Sequence, residues 1–191
     1  MNVRAGFVWD SGQHFSRYIE DCGIACELVT PHMLAAPFFR GVFNCLIIPT
    51  GFGNPKYSNL LPALRASSSR IKKFVENGGN LLVFGAATDT PSAYDWLPFS
   101  MTYCHEYHPR KVVCSGSSDV NMILKDFDAD CIECDGSFPV HDGETAGTSE
   151  EQAVIIEKQI GRGRIVVTSI HEFPSRGFLL EFCRSATQTL F

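Results

Sequence analysis

Three groups of residues carry chemistry in this sequence, and each needs partners at a defined place. His171, in RIVVTSIHEF, is an imidazole that titrates near neutrality and so suits a general base. Thr88 and Asp89, in GGNLLVFGAATDTPS, could orient a water against it for hydrolysis; the run Asp89-Thr90-Pro91-Ser92 also reads as the cap of a helical turn. CHEYHPRKVVC and CIEC hold Cys104, His105, His108, Cys114, Cys131 and Cys134, donors of the kind a tetrahedral zinc site uses. One C-x-x-C is half a zinc signature, and on a strand residues 131 and 134 face opposite ways, so scattered thiols are the competing reading and no metal or other cofactor is required. Cys104 is also a candidate displaced nucleophile, with His105 or His108 as its base.

The elements that must position these groups follow from the hydropathy pattern. Residues 3–9 form an apolar run ending at the turn cluster Asp10-Ser11-Gly12, and HFSRYIEDCG then reads as a helix closed by Gly23. ACELVTP is a second strand stopped by Pro31, HMLAAPFFRG a short proline-interrupted helix or loop, and FNCLIIP a third strand whose continuous apolar run suits burial on both faces. A helix over 67–77 has three serines available as N-caps, sets Ile71, Phe74 and Val75 on one face and stops at Gly78-Gly79; NLLVFGAAT is the fourth strand. This alternation predicts a parallel sheet with right-handed crossovers and helices on both faces. From residue 99 the pattern is β-rich: FSMTYCHEYHPRKVVC, DCIECDGSFPV, EQAVIIEKQI and RIVVTSI read as strands and Gly161-Arg162-Gly163 as a hairpin turn. Residues 142–152 read as a polar mobile loop and 176–191 as a closing helix, in a single domain spanning 1–191.

Composition narrows the function classes. A chain of 191 residues with 45% hydrophobic and 19% charged residues can bury a sizeable core and has no run long enough for a transmembrane helix. Its net charge of −5, without a basic block, argues against nucleic acid as a partner. The N-terminal apolar run is broken by Asp10 before any cleavage-like site and so reads as a strand, not a signal peptide; with eight cysteines read as reduced thiols, a cytoplasmic protein is expected.

In open α/β sheets ligands bind beyond the carboxyl ends of the strands. That rule selects Asp10 to Gly12, residues 49–53, residues 85–89 and His171-Glu172, and predicts a cleft lined by Asp10, Thr50, Gly51, Gly53, Gly85, Ala86, Thr88 and Glu172. The amides of TGFGN could cradle an anion, or simply form a tight turn. Phe7, Trp9, Phe52, Tyr57, Phe84, Tyr94, Trp96 and Phe99 crowd the same elements as core or as an apolar wall for a small ligand.

Strand-PTGFG, helix-GGNLLVFG and GRGRIVVTSIHEFPS together resemble the class I glutamine amidotransferase-like superfamily, and are most similar to the N-terminal domain of biotin protein ligases. The resemblance implies a three-layer, flavodoxin-like, mainly parallel sheet with a β-rich C-terminal half. It matches Pro49-Thr50-Gly51 to the oxyanion turn, Phe84 to Ala87 to the nucleophile elbow, CDGSFPV to an aspartate-glycine stretch and His171 to the triad histidine. Glutamine hydrolysis needs a thiolate at the elbow and a carboxylate behind the histidine. Gly85, Ala86 and Ala87 offer no nucleophile, and Phe173 stands where the family keeps its glutamate. The expectation is therefore a domain without glutaminase activity that binds a small molecule or a partner protein. The alternatives are a hydrolase using His171 with Asp89 or a displaced cysteine, and a metal-binding or redox protein.

Overall fold

The computed structural model describes residues 3–117 and 119–191. In chain order the first half runs β1 (Arg4–Val8), α1 (His14–Asp21), β2 (Ala25–Val29), α2 (Pro31–Ala35), β3 (Val42–Phe43), β4 (Cys45–Ile48), α3 (Leu60–Ala66), α4 (Ser68–Glu76) and β5 (Asn80–Val83). The second half runs β6 (Cys104–Arg110), β7 (Val113–Cys114), β8 (Ile132–Ser137), β9 (Glu144–Ser149), β10 (Gln152–Ile160), β11 (Gly163–Thr168), α5 (Arg176–Arg184) and β12 (Thr189–Leu190). A mixed eight-stranded sheet has the order β2-β1-β4-β5-β11-β10-β9-β7. The contiguous block from β2 to β11 is parallel, and β10, β9 and β7 add antiparallel pairings at one side.

The parallel block forms because its strands are apolar along their whole length. Every residue of β4 and β5 is buried, the burial expected of strands covered on both sides. Phe15 and Ile19 of α1, Ile71, Phe74 and Val75 of α4, and Phe178, Leu179 and Phe182 of α5 supply the helical part of that core. From β1 the chain crosses to β2 on one side and then returns to β4 on the other. Such a reversal leaves a crevice between the carboxyl ends of the two strands.

Several local expectations give way to tertiary contacts. Residues 144–149 are a strand, β9, inside the stretch read as a mobile loop; its Ala146, Gly147 and Ser149 are buried against β10 while the polar side chains that suggested a loop lie outward. The hairpin closes through Glu150 and Glu151, both with positive φ (49° and 66°). The helix expected over 176–191 ends at Arg184, because the last residues pair with β3 in the register Thr189↔Phe43 and Leu190↔Val42. Ser67 does not cap α4 through its side chain; its buried hydroxyl donates to the Leu34 carbonyl at 2.8 Å, tying α2 to the α3–α4 junction. Residues 89–92 cap no helix, since the chain from 91 to 99 runs through turns. The strand expected across CHEYHPRKVVC divides: β6 pairs with β8 in its own two-stranded sheet, and β7 joins the edge of the main one.

A buried ion cluster fastens the second half. Arg164 on β11 donates to Glu157 of β10 at 2.7 Å, pairs with Asp119 and lies 5.1 Å above the Phe182 ring of α5. All three charged side chains are at most 15% exposed, so each depends on the others for compensation.

Candidate functional site

The crevice between β1 and β4 opens into a cavity of about 990 Å³. Each neighbouring strand delivers a piece of its wall at the carboxyl end. The turn after β1 contributes Trp9 and Gly12, leading into the first turn of α1; β4 contributes Pro49-Thr50-Gly51; β5 contributes Phe84 and Ala87; and the segment after β11 contributes His171 and Phe173.

The turn after β5 is locked from below. Gly51 and Gly53 donate their amides to the carbonyls of Gly85 and Ala86, at 2.8 and 3.0 Å. These two TGFGN amides are therefore engaged by the neighbouring turn and do not form the anion cradle considered from sequence. Gly53 must be glycine because a Cβ would lie 2.9 Å from the Ala86 carbonyl oxygen and 2.8 Å from Thr88 Cγ2. The Tyr94 hydroxyl donates to the Phe84 carbonyl at 2.9 Å. Held this way, Ala87 takes φ of +49°, a left-handed conformation that costs an L-residue about 1–2 kcal/mol, and it faces the cavity. A strained residue at the end of a strand, pointing into a cleft, is the geometry of a nucleophile elbow. Here that residue carries only a methyl group.

His171 stands across the cavity, half-exposed, with its amide donating to the Glu133 carbonyl at 2.8 Å. Its Nδ1 lies 3.4 Å from Oδ1 of Asp135, whose side chain is only 4% exposed. That distance is long for a hydrogen bond but close for an ion pair. The contact with Asp135 raises the His171 pKa above its usual value; partial burial opposes the shift, and Glu133 and Glu172 add to it. Asp135 also explains Gly85. A Cβ there would lie 2.5 Å from Oδ2 and 2.7 Å from Cβ of Asp135, so the carboxylate occupies the space a side chain would need. Oδ2 has no hydrogen-bond partner among the described residues. Asp135 itself is held through its backbone, donating to Ser169 at 2.7 Å and accepting from the Tyr103 hydroxyl at 2.8 Å.

The residues singled out from sequence separate into two sets. Thr50, Gly51 and His171 line the cavity; Gly53, Gly85 and the fully buried Ala86 do not, and lie in the hydrogen-bonded turns behind its wall. Asp89 is exposed and forms no ion pair among the described residues; the carboxylate beside His171 is Asp135, brought by β8. Thr88 turns its hydroxyl to the Thr90 amide at 3.4 Å, a local turn bond. Asp10 lies outside the cavity wall, accepting from the Ser58 hydroxyl and, at 3.5 Å, from the Asn59 amide. Glu172 accepts from the Glu133 amide at 2.8 Å, away from the cavity.

The Cys–His group does not converge. Across β6 and β8, Cys104 stands opposite Ser137 and His108 opposite Cys134. Cys131 is exposed, whereas Cys134 is buried, which pushes its thiol pKa up to about 12. His105 is engaged with the Asp135 carbonyl at 2.7 Å, and His108 contacts Arg110 at 3.0 Å. Among the described residues no three His, Cys, Asp or Glu side chains come together as a metal site. Cys104 is exposed but is no part of the cavity wall, so it does not take the place of the missing elbow nucleophile.

Spacing alone did not select Phe173 and Asp135, nor the cavity-lining His14, Arg17 and Lys56. Phe173 stacks on Phe15 with ring centroids 4.6 Å apart and on Tyr18 at 5.5 Å. Asp135 lies in the aspartate-glycine stretch CDGS, which was the one signal pointing to it.

Comparison with protein-family models and with curated proteins gives no match. Solved structures do match. A Thermoplasma acidophilum protein, described as a candidate chain of GMP synthase, is 14% identical, with a TM-score of 0.64 over 97% of this chain and 94% of that one. A cytoplasmic protein from Salmonella typhimurium is 12% identical, with a TM-score of 0.57 over 98% of this chain and all of the other. A β-galactosidase from Rahnella sp. R3 is 10% identical with a TM-score of 0.57, and its match spans 97% of this chain but 31% of that enzyme. At these identities the likeness shows the fold alone: an α/β domain with a mixed, mostly parallel sheet. Among the described residues no helix is long and apolar enough to cross a membrane.

Proposed function

We propose that this chain is a three-layer, flavodoxin-like glutamine amidotransferase-like domain that keeps the superfamily's cleft without its nucleophile, and that it binds a small molecule there. The observation that carries this reading is Ala87: a strained elbow residue whose own side chain has no group able to attack a carbonyl, facing a cavity of about 990 Å³ opposite a histidine. The volume suits a compact organic ligand, and the aromatic walls would supply most of its binding energy. A role in the cytoplasm serving a partner enzyme, as the N-terminal domains of biotin protein ligases are joined to theirs, accords with the same reading. The test is a fragment screen by protein-observed NMR, combined with glutamine and ester turnover assays. Ligands that shift the Trp9, Phe84 and Ala87 resonances without turnover support it; turnover that disappears in His171→Ala overturns it.

The Asp135–His171 contact supports a second reading, a hydrolase in which His171 activates a water and Asp135 orients the imidazole. The same turnover assay, repeated with Asp135→Asn, decides between the two.

A further inference from the structure

The cavity wall is unlike the rest of the molecule in charge. The chain carries 21 acidic against 16 basic residues, yet no Asp or Glu lines the cavity, while Arg17, Lys56, His14 and His171 do. Among the described residues Arg17 and Lys56 form no ion pair, so their charge is not already neutralised by the protein. The first turn of α1, which lines the same cavity, contains no acidic residue and presents the positive end of the helix dipole. Aromatic rings supply much of the remaining wall. Tyr57 and Phe173 are 65% and 38% exposed, large apolar surfaces left uncovered at the rim, and Trp9, Phe15 and Phe84 lie deeper.

We infer that the ligand of this cavity is an aromatic or similarly flat organic anion, its ring against Phe173 and Tyr57 and its carboxylate or equivalent group toward Arg17, Lys56 and His171. This rests on the small-molecule reading above and deepens it by naming a ligand class. A flat ring beside Phe173 extends the stack that already joins Phe173 to Phe15 and Tyr18. The anionic group takes the only charge the wall leaves unbalanced. Protonated His171 offsets the Asp135 carboxylate beside it, so this side of the wall is least negative while the imidazole holds its proton. The groups facing it are Asp135 and Glu133 from β8, Glu172 beside it and the Tyr107 ring of β6 at 5.8 Å, and none of the three acids lines the cavity.

The experiment is calorimetric titration of the whole chain with 2-naphthoate, 2-naphthamide, 2-naphthylmethylammonium and cyclohexanecarboxylate, with NMR shifts locating each site. The expected result is that 2-naphthoate binds at least tenfold more tightly than the other three. That preference should shrink severalfold in Arg17→Gln/Lys56→Gln, whose exposed positions leave folding intact, and as pH rises through the His171 pKa. Equal or tighter binding of the neutral or cationic naphthalene in the cleft would overturn the anionic assignment and leave the small-molecule reading standing. Equal binding of cyclohexanecarboxylate would overturn the aromatic part. Failure of all four probes to shift any cleft resonance would overturn this inference and remove the support for small-molecule binding together.

Discussion

Gly85→Ala tests the packing on which the site depends. The added methyl would lie 2.5, 2.7 and 3.0 Å from Oδ2, Cβ and Cγ of Asp135, whereas relaxed contacts of this kind sit near ~3.5 Å, so the carboxylate must retreat by about 1 Å. It has little room to do so: its side chain is 4% exposed, and its backbone is pinned on both sides by Ser169 and Tyr103. Overpacking of such a site costs about 1–3 kcal/mol, to be read by urea unfolding. The same movement breaks the Asp135–His171 contact, so NMR titration of His171 should show its pKa falling back toward the ordinary value of about 6.5. Asp135→Asn separates charge from shape, lowering the His171 pKa without the steric term. A histidine whose folded pKa is raised contributes stability that is fully present below its unfolded pKa and is lost as pH rises through the folded one. The share of the Asp135→Asn deficit that belongs to His171 is therefore largest in mildly acid solution and closes as the imidazole deprotonates. Gly85→Ala with stability within about 0.5 kcal/mol of wild type and an unshifted His171 would refute the claim that Asp135 fills the space above Gly85.

Further outcomes follow from the elbow and the ion cluster. Ala87→Cys places a thiol opposite a histidine held by a carboxylate; peptide-resolved alkylation against pH should give it a pKa below the ordinary value of about 8.5, and Ala87→Cys/His171→Ala should restore that value. Ala87→Gly relieves the positive φ and, after the entropy lost to a more flexible unfolded chain, should raise unfolding stability by up to about 1 kcal/mol. Asp119→Ala leaves Arg164 buried with Glu157 alone and should cost about 3 kcal/mol in urea unfolding, more than any exposed pair such as Lys111–Asp130.

The parallel block was legible because its signals are local. Unbroken apolar runs at Leu46 to Ile48 and Leu81 to Val83, and a glycine pair after α4, state strand, burial and turn without reference to the rest of the chain. Where the reading failed, a distant contact decided. β9 looks polar in sequence because it carries Glu144, Thr145, Thr148 and Ser149, and its strand exists through its pairing with β10, against which Ala146, Gly147 and Ser149 are buried. Residues 189–190 leave the helix because β3 offers an edge 146 positions earlier in the register Thr189↔Phe43. Ser67 looked like a cap, but burial against α2 gave its hydroxyl a stronger claim on the Leu34 carbonyl.

The site shows the same division more sharply. Each of its loops could be placed at the carboxyl edge by one rule about parallel sheets, yet the carboxylate partner of His171 could not, because local spacing pointed to two wrong places. Two residues beyond His171 stands Phe173, which turns to the aromatic wall and stacks on Phe15, while Asp89, beyond the elbow, stays in solvent. Asp135 arrives instead from a strand outside the main sheet, carried to the carboxyl end of β11 by the antiparallel bridge between Cys134 and Ile170. Once it is there, the glycine at 85 ceases to be an unexplained gap in the elbow. The position is empty because a carboxylate from elsewhere in the chain occupies it, and a nucleophile could not be restored at Gly85 without displacing the group that holds His171. Ala87 is the elbow position where a side chain meets the cavity, and its methyl leaves the cleft to a ligand.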